Sequence, residues 1–569
     1  MNRMIKIIIV IAMLFSVIAC SKNETIVSDE ECNKFDTFVD RLPALLIKPD
    51  NTALNQLFTD PSNIDVVPEL ANWDYLSLDY VERDQEIFDE ISKGLNAIDY
   101  DLLDESRKEN YEVIAYTLED DFDINDENYY FMTNNPLGAY DGSISNVFIS
   151  LYFMEIRTEL DAKSYINLLD SLNEYALNLL EFEQLRQDNG YGMSPREIEL
   201  SIENIETSQE HADFKFIVDD FKEKVNASNI ENKDTYINYV DENLVKDLTD
   251  FYQTCLDGLK AIDVKQGDVS LSELEEGREY YASIVYANSG FESMDEYYNY
   301  IYGMYEDSFA EFLKLVNTTD SEKFFSGDFK FTDIDNPNEL LAYFKEVTRK
   351  DFPMVGDFEY EMRELPKEFG YLMPGVGAFY VIGPLDDENA KQHMMLNGTY
   401  NQSDFTTIAH EGYPGHMFQH AYANSLNLPY VRNIYNFIDY SEGYANYVED
   451  YITRFAIDDE LAHLNRVYDE YLYSMILLWD YELGYGGEDV FGEMVEVFGD
   501  AGVAKGIYEQ IKFSPGTFIP YYVAGSIFND MYDEIENKMS LKEFHESILS
   551  HGPMPLNILR EKVQKDAEK

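Results

Sequence analysis

At 569 residues, with 45% hydrophobic and 15% aromatic residues, the chain can bury a large core and is neither a disordered segment nor a small stapled scaffold. Its 110 acidic side chains against 42 basic ones leave a formal net charge of -68, which sets most of the surface against phosphate backbones and anionic headgroups and argues against nucleic acid as a partner. Acidic runs such as EDDFDIND from Glu119 read as solvated faces, because none has the acid and glycine spacing of a calcium loop.

In chain order, Arg3 and Lys6 precede an apolar run, Ile7 to Ala19, that is short for a bilayer span and suits an export signal. Cys20 follows, and VIAC resembles the lipobox of bacterial lipoproteins, where the signal is cut before a cysteine that then carries lipid. The expectation is a signal peptide over 1–19, lipidation at Cys20, a tether over 20–34, and a mature protein held to a membrane on its extracytoplasmic face in the cell envelope. Cys32 and Cys255 are too few for a disulfide framework or a cysteine zinc site, and the sequence leaves their pairing open.

An N-terminal helical region is expected over 35–263. In SYINLLDSLNEYALNLLEFEQLRQ, Ile166, Leu169, Leu172, Leu177, Leu180 and Phe182 recur near helical spacing, the signature of a core face. DNGYGMSPREIE reads as a turn and a helix start, with Ser194 as N-cap and Pro195 at the first helical position. A second helical region, catalytic and zinc-binding, is expected over 264–569. Within it residues 371–401 are rich in Gly and Pro and contain AFYVI, a short strand that could line a cleft and pair with a bound peptide backbone. The fold class is therefore mainly α, a large multi-helix fold with a small β element beside the cleft.

AHEGYPGHMFQH, residues 409–420, holds three of the eight histidines. In an H-E-x-x-H zinc helix the two histidines are one turn apart and the glutamate between them activates water. His410 and His416 are two residues too far apart for that on a regular helix. Pro414 removes an amide donor and Gly415 tolerates unusual dihedrals, so the pair is expected to bulge the helix and swing His416 back beside His410. His416 and His420 are a competing pair at one-turn spacing, but that choice strands Glu411. His410 and His416 are favoured as ligands and Glu411 as general base, leaving His420 to support or pack behind them.

A third ligand is expected from YSEGYANYVEDYITRF. Glu442 lies at its start, beside the small Gly443 and Ala445 that would let this helix approach the histidine helix. Asn446, one turn on, could hydrogen-bond a ligand from the same face, and Glu449 is the alternative ligand.

HEGYPGH, EGYANY from Glu442, SPGTFIPYYVAG and LKEFHESILSHGPMPLNIL together resemble the bacterial domain-of-unknown-function 885 family, placed among gluzincin-like metallopeptidases. GYGMSPREIE and AIDYDLLDESRKENYEVIAYTL extend the resemblance over nearly the whole chain after the signal. It implies a helical peptidase fold with zinc on His410, His416 and Glu442 and with Glu411 as base. Where the family pattern has tryptophan in E-G-W-A, this chain has Tyr444.

On this reading the protein is a zinc metallopeptidase acting on peptides. Tyr521 or Tyr522 would stabilise the oxyanion, and His551 in SHGPMPL is a further candidate for contacting substrate. Arg186 and Arg560 are possible partners for a substrate carboxylate. Two imidazoles and a carboxylate suit Zn2+, although cobalt or manganese could occupy such a site in vitro. A catalytically silent peptide- or metal-binding lipoprotein, or a zinc hydrolase of another amide or ester, are the rival readings. Oligomeric state is not legible.

Overall fold

The computed structural model describes residues 27–119, 127–140, 143–211, 214–356, 358–373 and 376–569. The expected signal and Cys20 lie outside the described residues. Among those described, no helix is long and apolar enough to cross a membrane.

The protein is mainly helical with one three-stranded sheet, as the sequence predicts. The elements that matter for the site are numbered here in chain order. They begin with α1 (Asn51–Leu57), α2 (Glu159–Asn189), α3 (Lys233–Ala261) and α4 (Met294–Thr318). The strands β1 (Tyr360–Glu364), β2 (Ala378–Val381) and β3 (Gln392–Leu396) follow. The last are α5 (Phe405–Glu411), α6 (His416–Ser425), α7 (Ile438–Ile452), α8 (Asp459–Tyr481) and α9 (Ala524–Ile535).

α2 begins at a capping box, in which Thr158 and Asp161 satisfy each other's backbone donors, and ends at Gly190 in the left-handed region (φ 88°). Its apolar face packs on α3, with Leu180 against the bare Gly258. Leu177 departs from the predicted stripe and is exposed, its neighbours Ala176 and Leu179 being buried instead. Ser194 does cap the next helix, accepting from the Glu197 N–H at 3.2 Å. Cys32 and Cys255 are buried free thiols in different apolar clusters. Burial pushes the Cys255 thiol up to about 12, so it is an unreactive packing residue.

The two largest apolar clusters meet at the sheet. The strand order is β1-β3-β2, with β3 parallel to β1 and antiparallel to β2. On the central β3, Met394 and Leu396 belong to the cluster around α5 to α9, while Met395 belongs to the one built on α2 and α3. Strand periodicity thus turns successive side chains into opposite cores. β2 is left as an edge, within reach of the helix that carries Glu411.

Asp161 also ties α1 to α2. Its buried carboxylate accepts from the side-chain amides of Asn51 (2.6 Å) and Asn55 (3.0 Å) and from the backbone N–H of Arg157 (2.9 Å) and Thr158 (2.6 Å). Asp161→Ala is expected to cost about 2–3 kcal/mol, because buried donors lose their acceptor. Urea unfolding followed by circular dichroism checks it, and Asp161→Asn should recover part of the loss.

Candidate functional site

The chain breaks its helix between Glu411 and His416. α5 stops at Glu411 and α6 starts at His416, with a cis Tyr413–Pro414 peptide in the loop between them. This is a fuller interruption than the expected bulge, since the helix is not continuous through it. Hydrogen bonds bridge the gap: the Gly415 N–H donates to the Ala409 carbonyl at 2.9 Å and the Phe418 N–H to the Gly412 carbonyl at 3.2 Å. The buried Tyr444 hydroxyl, from α7, donates to the Pro414 carbonyl at 2.8 Å and holds the loop from the other side. A Cβ on Gly415 would lie 1.8 Å from the His410 carbonyl oxygen, so the loop closes this tightly only with glycine. The outcome matches the expectation for the histidines: the His410 and His416 rings stand 4.7 Å apart, nearly perpendicular.

α7 delivers Glu442 between them. Glu442 Oε2 lies 3.3 Å from Nε2 of His410 and 3.3 Å from Nε2 of His416. It is buried and makes no hydrogen bond among the described residues. Three donor atoms converge without bonding one another. Ligands about 2.0–2.1 Å from a tetrahedral ion stand about 3.3–3.4 Å apart, so the observed spacing fits a zinc ion held by these three residues. Ligand atoms of His410, Glu411 and His416 also fall within 4.8 Å of one another.

The surroundings orient this set. His410 turns Nδ1 to Glu449 Oε1 at 2.7 Å, which leaves Nε2 free to face Glu442. Glu449, weighed above as an alternative ligand, therefore grips the far side of the ring. Its other oxygen accepts from Arg466 Nη1 of α8 at 3.2 Å. Arg466 is buried and also donates to the side-chain oxygen of Asn446. Asn446 thus holds the arginine rather than a ligand. Gly443 does not serve approach to the histidine helix as expected: a Cβ there would lie 2.6 Å from the Ala524 Cβ, so its bareness lets α7 close on α9.

Glu411 is buried beside the histidines, its Oε1 3.9 Å from His410 Nε2. Its Oε2 accepts the backbone N–H of Tyr380 on edge strand β2 at 2.8 Å. Burial pushes its carboxyl up, with Glu442 adding to the effect while His410, His416 and the Tyr380 N–H oppose it. Burial would lower His410, but the carboxylates of Glu442 and Glu449 facing its two ring nitrogens outweigh it and hold that imidazole well above its usual range. Burial raises Glu442, and the two imidazoles more than reverse this.

A cleft of about 530 Å3 opens beside His416 and Glu442 and is lined by Tyr380, His420 and Tyr521. The structure separates the two tyrosines. Tyr521 faces the cleft, and its hydroxyl is raised by burial and by Glu442, Glu411 and Glu449. Tyr522 instead stacks on Tyr473, ring centroids 3.9 Å apart, next to Arg466. The π-helical turn Ile519–Val523 presents these neighbours to different sides. His420 accepts from the Asn424 amide at 3.0 Å and is pushed down to about 4 by burial, a neutral ring on the cleft wall.

The other expected contacts lie elsewhere. His551 has Nδ1 2.9 Å from Glu109 and Nε2 3.0 Å from Asp566, so both ring nitrogens serve a buried ion network and the residue does not line the cleft. Arg186 pairs with Glu183 inside the N-terminal region, and Arg560 pairs with Glu534. Sequence reasoning missed Arg466 and the Tyr380 N–H. Arg466 is a basic residue on a helix that buries Leu464 and Val467, but no spacing links it to α7. A backbone donor has no side-chain signature at all.

Any affinity for added Zn2+, read by competition with a chelating dye, should be abolished by Gly415→Ala, which displaces His416, and weakened about 10–100-fold by Glu449→Gln. For His551, burial lowers its proton affinity but the hydrogen bond to Glu109 and the charge of Asp566 raise it further, so its folded pKa lies above the unfolded value. Its stabilisation is then fully present below about pH 6.5 and lost as pH rises through the folded value. His551→Gln should cost about 1–2 kcal/mol at pH 5.5 and less at pH 9, read by urea unfolding at the two pH values.

Residues 66–563 match the family model for DUF885, a bacterial protein of unknown function. No curated protein matches the chain. A solved structure of a candidate lipoprotein from Colwellia psychrerythraea is similar at 16% identity and a TM-score of 0.75, covering 95% of this chain and 99% of that one. A second, a candidate lipoprotein of unknown function from Shewanella oneidensis, gives 15% identity and a TM-score of 0.59, covering 94% and 99%. At such identities the likeness speaks for the fold, while the family match spans most of the sequence: the chain belongs to the DUF885 family.

Proposed function

We propose that the protein is an extracytoplasmic, lipid-anchored, zinc-dependent peptidase of gluzincin type. The observation that carries this reading is the equal 3.3 Å approach of Glu442 Oε2 to two imidazole nitrogens, with Glu411 beside them. His410, His416 and Glu442 hold the ion. When bound, zinc supplies positive charge that polarises a carbonyl and brings the pKa of water to roughly 7.

The chain's own groups do the rest. Glu411 has one oxygen fixed by the Tyr380 N–H, so Oε1 is the atom that takes the proton of the attacking water and passes it to the leaving amine. Its raised proton affinity suits that exchange. Tyr521 donates to the oxyanion of the tetrahedral intermediate, and because its hydroxyl is held protonated it does so as a neutral donor. The β2 edge offers backbone groups along which an extended peptide can lie. Export and lipidation rest on the basic start, apolar run and VIAC motif, and they agree with the lipoprotein descriptions of both similar structures.

The test is metal content by plasma mass spectrometry joined to peptide hydrolysis. One zinc per chain is expected, lost in His410→Ala and kept in Glu411→Gln, with Glu411→Gln slower by about 10²–10⁴. Tyr521→Phe should lower kcat by about 10²–10³ with zinc retained, and Tyr522→Phe should not. A chain that takes up no metal after zinc is added back would sink the proposal.

A further inference from the structure

Resting on the peptidase reading, we propose that the cleft accepts an internal, uncharged stretch of peptide bearing an apolar side chain and rejects acidic side chains and free α-carboxylates. One wall is aliphatic: Leu57, Leu385 and Ile434 come from a small separate apolar cluster. Ile382 and Ile438 stand at the lip, 50% and 44% exposed. Large aliphatic side chains exposed on a concave surface are what a bound apolar group would cover.

The polar part of the lining is neutral. Gln419, Asn433, Asn436 and Ser441 supply amides and a hydroxyl, and His420 is uncharged. Among the described residues no Lys or Arg lines the cleft, and its charged member is the carboxylate Glu442. The nearby guanidiniums are committed. Arg432 is fully buried and donates to the carbonyls of Pro553 and His551, both at 2.7 Å. Arg466 is held by Glu449 and Asn446. A peptide carboxylate seated against the aliphatic wall, away from the metal ligands, would lose water and gain no counter-charge from any side chain there. A net charge of -68 repels it on approach as well.

The wall is built before any ligand arrives. The Leu385 N–H donates to the Leu57 carbonyl at 2.8 Å, and Asp386 accepts the backbone N–H groups of Thr59 (2.7 Å) and Asp60 (2.8 Å). The loop after β2 is thereby fastened to the end of α1, so the apolar wall is preformed and selection is by fit and solvation.

The probes are acetylated and amidated hexapeptides identical except for Leu or Glu at one central position, plus the Leu peptide cut back to end in a free carboxylate. Binding is read by fluorescence anisotropy on the zinc-loaded Glu411→Gln chain, and hydrolysis on the unaltered full-length chain. The Leu peptide should bind about 10–100-fold tighter than the other two. Added salt should narrow the gap only in part, since screening removes the long-range repulsion and leaves the desolvation. Ile438→Lys, a change at an exposed position, should shrink the Leu over Glu preference by supplying a partner. Equal binding of the Leu and Glu peptides, no binding of any probe, or a preference unmoved by Ile438→Lys overturns the inference. Selective binding without hydrolysis by the unaltered chain upholds the cleft preference and overturns the peptidase reading instead.

Discussion

The helix interruption at Gly412–Gly415 is the constraint on which the site depends, because without it His416 points away from His410 and Glu442 has nothing to meet. It forces ionisable groups together in the interior: three carboxylates (Glu411, Glu442 and Glu449), two imidazoles and the Arg466 guanidinium. Buried charge must be balanced locally. These carboxylates, with Glu470 a further ion-pair partner of Arg466, leave an excess of negative charge that the proposed divalent cation would offset. Burial raises the Glu411 carboxyl, and for His410 the facing carboxylates Glu442 and Glu449 outweigh the lowering effect of burial. On the proposed reading metal and protons would compete for one set of lone pairs, which would link affinity to pH.

Bringing α5, α6, α7 and α9 close enough for this needs missing side chains as much as present ones. Gly415 lets the loop fold onto the His410 carbonyl, Gly443 lets α7 touch Ala524, and Gly525 leaves room for the Asn446 amide. Each glycine removes a Cβ that would meet backbone or a fixed side chain, so the ligand spacing is set by backbone proximity and does not rest on flexible rotamers. Tyr444 then fills the gap with a ring and a hydroxyl that reaches the Pro414 carbonyl.

Much of this was legible in the sequence. Periodicity gave the helical fold, AFYVI gave the strand, and the order of His410, Glu411, His416 and Glu442 pointed to four groups that the fold gathers. What was not legible is of two kinds. Where two elements far apart in sequence meet, as Glu109 meets His551 or Asn110 meets Arg432, no local pattern encodes the pairing. Where neighbouring residues share one chemistry, spacing cannot choose between them: Tyr521 and Tyr522 are separated by a π-helical turn that composition does not announce. Leu177 lies one residue off the inward stripe, which keeps its three-and-four spacing through Leu172, Ala176 and Leu179, so a large apolar residue there misled the reading.

Tyr521 itself is aimed from a distance. The buried Asp480 on α8 accepts the Gly516 N–H at 3.1 Å and the Tyr281 hydroxyl at 2.8 Å. Burial raises its carboxyl to about 7, while Tyr281 and the Gly516 N–H hold it down. This contact pins the turn that leads into Ile519–Val523, and so fixes where the tyrosine can reach. The loop that carries Tyr521, the strand edge that holds Glu411, and the helices that carry the histidines are each fastened to a different neighbour. A site assembled this way keeps its geometry through rigid attachment of separate elements, which suits a reaction whose charge development must be met by groups already in position.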